Sequence, residues 1–252
     1  MQQANKQETG AFERRAFNME FRASEKDGKK TIAGMAAVYN KYTNMGYYLE
    51  VVRPGFFDGI DTSMTACLKN HNENLILGRT SNGTLSLEFK SDGLSYQADL
   101  PNTAAANDTH TEIEGGYIFQ SSFGFTVKKA TWSEVQRSEF SGIVPDGVLD
   151  RLSYGGFVDV RELIQGEALY DVSPVTFPAY ADTSTEVVKR SWEEFKQEKR
   201  TAQEQKEQDQ KTGEKTEQEQ TDDDQAPSEA APDLAQINRR LQIAIAEASA
   251  II

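Results

Sequence analysis

The chain has 252 residues, with 27 Lys and Arg against 40 Asp and Glu, a net charge of −13 and a pI near 4.7. The length suits one large domain, or one domain with an appendage. The charge argues against a general nucleic-acid binder, which needs a basic face to displace phosphate counterions, and against a polybasic membrane anchor. No run nears the roughly 18 apolar residues of a membrane span. The opening "MQQANKQETGAFERRAF" lacks the apolar core of a signal peptide. The lone cysteine, Cys67, excludes an internal disulfide and a zinc knuckle. A reducing cytosol, or a particle assembled there, fits best.

In chain order, residues 1–15 read as a flexible N-terminus and 16–195 as the folded domain. "FNMEFRA", "EKDGKK" and "TIAGMAAVYNKY" form a hairpin pattern with a glycine-containing turn. "RPGFFDG" reads as a loop leading into a short helix. "MTACLKNHN" is a strand ending in polar residues. "GTLSLEFKSDGLSYQADLP" alternates Leu85, Leu87 and Phe89 and turns at Ser91-Asp92-Gly93, a second hairpin. "AANDTHTEIEGG" is a helix or loop, "YIFQSSFGFTV" a strand, "TWSEV" another, and "YDVSPVTFPAY" the last. "SEFSGIVPDGVLDRLSYGG", between those last two, is loop-like and reads as a substrate-binding insertion. Many strands with few helices predict an α+β domain, mainly an antiparallel β-barrel with covering helices.

Composition changes sharply at Lys196. From there to Asp233 there is no Val, Ile, Leu, Met, Phe, Trp or Tyr, and 6 Lys and Arg face 12 Asp and Glu. Such a segment cannot bury enough apolar surface to offset its conformational entropy. Residues 196–233 are therefore expected to be an acidic linker, as solvated coil or fraying helix. In 234–252, Leu234, Ile237, Leu241 and Ile245 recur at helical spacing, which predicts a short amphipathic helix.

The chemistry centres on "YIFQSSFGFTV". Strand alternation puts Phe119, Ser121, Phe123, Phe125 and Val127 on one face and Ile118, Gln120, Ser122, Gly124 and Thr126 on the other. The aromatic face suits the core, so Ser121 is expected to point inward and bond a backbone carbonyl. Ser122 is the better nucleophile, and Gly124 beside it leaves room for a substrate backbone. A serine needs a base at neutral pH, and there are only two histidines, His71 and His110. Two histidines leave little scope for a catalytic metal, and no metal or other cofactor is expected. Cys67, which alternates onto the face of His71, is a rival thiol nucleophile or a small core residue. For a developing oxyanion, the candidate donors are Arg79 and the backbone at Phe123 and Gly124.

The segments "AGMAAVYNKY", "EVVRPGFFDG", "KNHNENLILGRTSNGTLSLE", "SSFGFTV" and "DVSPVTFPAY", in this order, resemble the prohead (capsid maturation) serine proteases of tailed bacteriophages. The resemblance runs from about Phe17 to Asp182. It implies a fold similar to the herpesvirus assembly proteases, with His71 as base and Ser122 as nucleophile. It also implies an acidic third member at Asp171, with Glu162 and His110 as alternatives. The implied function is an endopeptidase inside an assembling prohead in the host cytoplasm. Its substrates would be scaffold or a capsid-protein extension, and itself, with no nucleic-acid or membrane partner; a homo-oligomer is left open. The rival reading is a non-enzymatic internal scaffold protein with a protease-like domain. A small-molecule esterase is disfavoured by the lack of a G-x-S-x-G elbow.

Overall fold

The computed structural model describes residues 4–6, 11–18, 21–177 and 185–218. The chain opens with β1 (Ala4–Lys6) and β2 (Phe12–Asn18). β3 (Arg22–Lys26) and β4 (Lys29–Val38) form the first predicted hairpin. Its two turn residues, Asp27 and Gly28, both have positive φ (51° and 72°), the geometry that matches the twist of paired strands. Two short strands follow, β5 (Thr43–Asn44) and β6 (Leu49–Val52). The "RPGFFDG" stretch is a run of turns rather than a helix start. It drops Phe56 and Phe57 into the core. β7 (Ala66–Leu68), β8 (Ile76–Arg79) and the second hairpin, β9 (Leu85–Lys90) with β10 (Gly93–Asp99), come next. Helix α1 (Ala104–Glu114) starts on the Thr103 hydroxyl, which accepts the Ala106 N–H.

The rest of the domain hangs on two long strands, β11 (Gln120–Gln136) and β12 (Phe157–Val175), joined through helix α2 (Asp146–Leu152). "SSFGFTV" and "TWSEV", expected as two strands, are one. Register shifts against β12 at Gly124–Phe125 and between Thr126 and Ala130 absorb the irregularity as bulges, which bend the strand without ending it. β11 carries β2 and β1 on its other edge. The far edge of β12 is shared by β6 and β7, both parallel to it; β6 carries β5, and β7 carries β8. A second, antiparallel sheet runs β3-β4-β10-β9.

The architecture is thus α+β and mostly strand, but neither sheet closes, so the expected antiparallel barrel is corrected to two open sheets, the larger of them mixed. The edge of β12 that a barrel would close with its first strand is occupied instead by two short parallel strands. The two sheets face each other across one apolar core. Phe17, Phe56, Phe57, Phe123 and Phe125 meet Ile32, Ala36, Leu94 and Tyr96 there. Phe123 and Phe125 stack at 4.6 Å. The expected core face of the serine stretch is buried from Ser121 onward, while Phe119, just ahead of the strand, is 54% exposed.

A second core is ionic. Arg161 donates to Glu13 and to Glu50 at 2.8–2.9 Å, and Arg15 bonds the same two carboxylates. All four side chains are buried. Burial alone would raise the Glu13 carboxyl, but Arg161 and Arg15 overcome it and hold the pKa at about 2. Within the segment expected as a flexible 1–15 end, Phe12–Arg15 are strand. Glu13 and Arg15 point inward because matching charges wait there, while Arg14 projects on the other face.

Helix α3 (Thr185–Gln218) docks through its first turns. Phe195 stacks on Trp132 at 5.0 Å, and Trp192 Nε1 donates to Asp159 at 2.8 Å. Lys196 bonds Asp159, and Lys199 pairs with Glu134. The apolar-free segment expected as coil or fraying helix from Lys196 is thus helical to Gln218; the amphipathic helix expected over 234–252 lies outside the described residues. Among the described residues no helix is long and apolar enough to cross a membrane.

The ionic core sets an acid limit. A carboxyl held at about 2 contributes stability that is complete above its ordinary value of 4.5 and is lost as pH falls from 4.5 toward 2. The wild-type melting temperature should drop steeply through that window. Glu13→Gln should be less stable at neutral pH by about 3–5 kcal/mol, because it leaves buried guanidinium charge unmatched, and its pH dependence should be flatter. Parallel melting profiles for the two proteins from pH 2 to 7 would contradict this account.

Candidate active site

The β11–β12 register sets the site. Ser122 lies directly opposite Ser173, and Gly124 opposite Asp171. Paired residues share a sheet face, as do residues two apart, so Ser122, Gly124, Asp171 and Ser173 project together. β7 lies beside Asp171 and Val172. A single turn of 3-10 helix (Lys69–His71) then carries the chain over that face.

That turn is held in an uncommon backbone shape. Asn70 and His71 both have positive φ, 54° and 56°. Such a conformation costs a non-glycine residue roughly 1–2 kcal/mol, so neighbours must enforce it. Asn72 N donates to Lys69 O and Lys69 N to Leu75 O, closing the loop. The Asn70 amide then clamps the end of β12: Thr176 N donates to Asn70 Oδ1 at 2.8 Å, and Asn70 Nδ2 to Thr176 Oγ1 at 3.4 Å.

The result is a chain of hydrogen bonds. His71 Nδ1 lies 2.5 Å from Asp171 Oδ1, and His71 Nε2 lies 2.7 Å from Ser122 Oγ. Ser173 Oγ donates to the same Asp171 Oδ1 at 2.6 Å. An ionised carboxylate can only accept, so the geometry requires the proton on Nδ1, which leaves the Nε2 lone pair facing the Ser122 hydroxyl. Ser122 has no exposed surface and Asp171 is 3% exposed. The arrangement can move a proton from Ser122 Oγ to the imidazole while the carboxylate stabilises the resulting cation.

The structure brings Ser122, His71 and Asp171 together and places the remaining candidates elsewhere. His110, buried on α1, donates from Nε2 to Ser24 O at 3.2 Å, and Glu162 pairs with Arg53. Neither touches His71. Asp171 is bonded by His71 and Ser173 and pairs with no arginine among the described residues. Cys67 is fully buried in the main core, on the Val172 side of the sheet and so opposite Asp171. Burial pushes its thiol well up, and Asp171 adds to that. The alternation that seemed to align Cys67 with His71 stops at Leu68, where the helical turn begins. Ser121 does point inward, but its partner is the Tyr96 hydroxyl at 3.3 Å and not a carbonyl.

Of the donor candidates, Phe123 and Gly124 lie in a strand paired on both edges, so their N–H groups are directed into the flanking ladders. The room expected at Gly124 is already filled. A Cβ there would collide with the Asp171 carboxylate and come within 2.8 Å of the Phe12 ring. Gly124 thus admits Asp171 rather than a substrate backbone. Arg79 is half-buried on β8, in register with Ala66 of β7 and so two strands further out than Asp171, on the same face of the sheet. Its guanidinium has no hydrogen-bond partner among the described residues. The "SEFSGIVPDGVLDRLSYGG" region caps the opposite end of the β11–β12 ladder from Ser122, which removes it from the site. Among the described residues no group of three or more His, Cys, Asp or Glu side chains could hold a metal ion.

Sequence reasoning missed Ser173, Asn70 and Thr176. All three lie inside the segments that carried the resemblance, but no local pattern shows that they meet.

A family model described as caudovirus prohead serine protease matches residues 17–198. No curated protein and no solved structure matches the chain.

Gly124→Ala tests the packing of this site. The added methyl should displace Asp171 or Phe12, costing about 1–3 kcal/mol of stability. It should also abolish the low-field proton signal expected for the short His71 Nδ1–H to Asp171 bond. An unchanged signal and melting temperature in Gly124→Ala would mean that Asp171 does not sit against Gly124.

Proposed function

The chain belongs to the caudovirus prohead serine protease family, and we propose from this that Ser122, His71 and Asp171 are its catalytic triad. The family is one of phage capsid-maturation proteases acting inside the assembling capsid. The finer reading is an endopeptidase that cleaves scaffold or a capsid-protein extension, and its own chain. The observation that carries it is the pair of contacts made by one imidazole, Nε2 to Ser122 at 2.7 Å and Nδ1 to Asp171 at 2.5 Å.

In this reading Ser122 Oγ attacks the scissile carbonyl carbon as His71 Nε2 takes its proton. Asp171 holds the ring and stabilises the imidazolium. Collapse of the tetrahedral intermediate expels the amine, which takes the proton back from Nε2. A water, activated by the same nitrogen, then hydrolyses the acyl-enzyme. Arg79 is the oxyanion donor we favour, because it is cationic, shares the sheet face of Asp171 and has no hydrogen-bond partner for its guanidinium among the described residues; from two strands beyond Asp171 it must swing toward Ser122 to serve. Ser173 and Asn70 are positioning residues, one orienting the carboxylate and the other the histidine turn. Ser122 is fully covered in the free chain, so a substrate carbonyl can reach within attack distance, about 3–3.5 Å, only if part of the covering wall moves.

The test is co-expression with the capsid protein of the same phage, with intact-mass analysis of both chains over time. Wild type should shorten the capsid protein, itself, or both. Ser122→Ala and His71→Ala should leave every chain whole while keeping the fold, and Ser121→Ala should change mainly stability. Asp171→Asn should lower turnover by about 10⁴ through the wrong imidazole tautomer. Cleavage that survives in Ser122→Ala would refute the assignment. Intact chains in wild type as well would favour a non-enzymatic assembly protein.

A further inference from the structure

Arg14 is left over by the mechanism, and its surroundings give it a use. It lies on β2 opposite Gly124, and Ala16 lies opposite Ser122. Arg14 is therefore one strand across and two residues along from the proposed nucleophile, about 8 Å between Cα atoms from standard strand spacing and rise. It projects on the same face. Its guanidinium stacks over the Phe12 ring at 4.9 Å, and Phe12 meets Tyr170 edge to face at 5.4 Å. Both rings are nearly half exposed, at 42% and 46%. Two partly bare aromatic residues and a cation thus lie near Asp171, on the side of the sheet away from β7, the strand that leads to His71.

The cation is uncommitted. Glu13, its neighbour in sequence, is spent on Arg15 and Arg161 in the ionic core. Asp171 Oδ1 is taken by His71 and Ser173. Among the described residues no carboxylate reaches Arg14, and its Nε is buried without a hydrogen-bond partner. A buried donor left unpaired is costly, and a guanidinium fork is shaped for a carboxylate.

We propose that Arg14, Phe12 and Tyr170 form a substrate subsite that takes an Asp or Glu side chain of the peptide, about two to three residues from the scissile bond. The spacing follows from the separation of about 8 Å and a rise of about 3.3 Å per extended residue. The aromatic rings pack the stem of that side chain and exclude water from the ion pair. This rests on the serine-endopeptidase reading.

The test is cleavage-site profiling on a mixed peptide pool, read by mass spectrometry, with full-length wild type, Arg14→Gln and Arg14→Glu, each checked for an unchanged melting temperature. Wild type should show Asp or Glu enriched at one fixed position near the cut. Arg14→Gln should lose that enrichment and cut the best acidic peptide with kcat/KM lower by about 10- to 100-fold, the scale of one charge-assisted hydrogen bond. It should cut the matched Gln or Asn peptide as wild type does. Arg14→Glu should shift the preference at that position to Lys or Arg. Efficient cleavage with no acidic preference, or one that both variants retain, overturns the subsite and leaves the enzyme reading standing. No cleavage of any peptide by wild type counts against the enzyme reading and the subsite with it.

Discussion

The pairing of β11 with β12 is the constraint on which the rest of the structure depends. One register puts Ser122 across from Ser173 and Gly124 across from Asp171. A slip by one residue would turn Ser122 into the aromatic core and Phe123 onto the site face. The stacked Phe123 and Phe125 rings oppose that slip, because their burial is worth several kcal/mol in one register and is lost in the other. The hydrophobic effect thus fixes the position of polar groups that make no contact with the core.

Each further piece of the site is a local departure that this frame supports. The left-handed pair Asn70 and His71 is unfavourable alone, yet it is tied to Thr176 at the end of the same β12 that carries Asp171. Histidine and carboxylate are therefore positioned by one strand, which keeps their separation insensitive to motion elsewhere. Gly124 is the complementary departure, a missing side chain whose space the carboxylate uses. On the other face, the buried Glu13–Arg15–Glu50–Arg161 cluster locks β2 to β12 and β6. That cluster leaves Arg14 as the neighbouring cation that no carboxylate reaches among the described residues.

Much of this was legible in the sequence where the signal is local. The two hairpins follow from alternation and from Asp-Gly turns, and the opposite facing of Ser121 and Ser122 follows from period two. What was not legible depends on contacts distant in sequence. The start of β2, Phe12–Arg15, was read as part of a flexible end because Glu13 and Arg15 look like solvated charges, and their partners lie 148 and 35 residues away. Sheet closure depends on which edges meet, and the parallel arrivals of β6 and β7 leave no local trace. Lys128 and Lys129 broke the apolar alternation, so one bulged strand was read as two. Asp171 could be reached only through the family resemblance, since it lies 100 residues from His71 and meets it through the β7–β12 pairing. Ser173 and Asn70 fall under the same limit.

The central claim is that His71 makes Ser122, and no other residue, a nucleophile. Its most direct test is covalent labelling of the full-length protein with a fluorophosphonate, followed by peptide mapping. The account predicts a single modified residue, Ser122, with labelling lost in His71→Ala although that variant remains folded. A label on Ser121 or Cys67, or on Ser122 at an undiminished rate in His71→Ala, would contradict it.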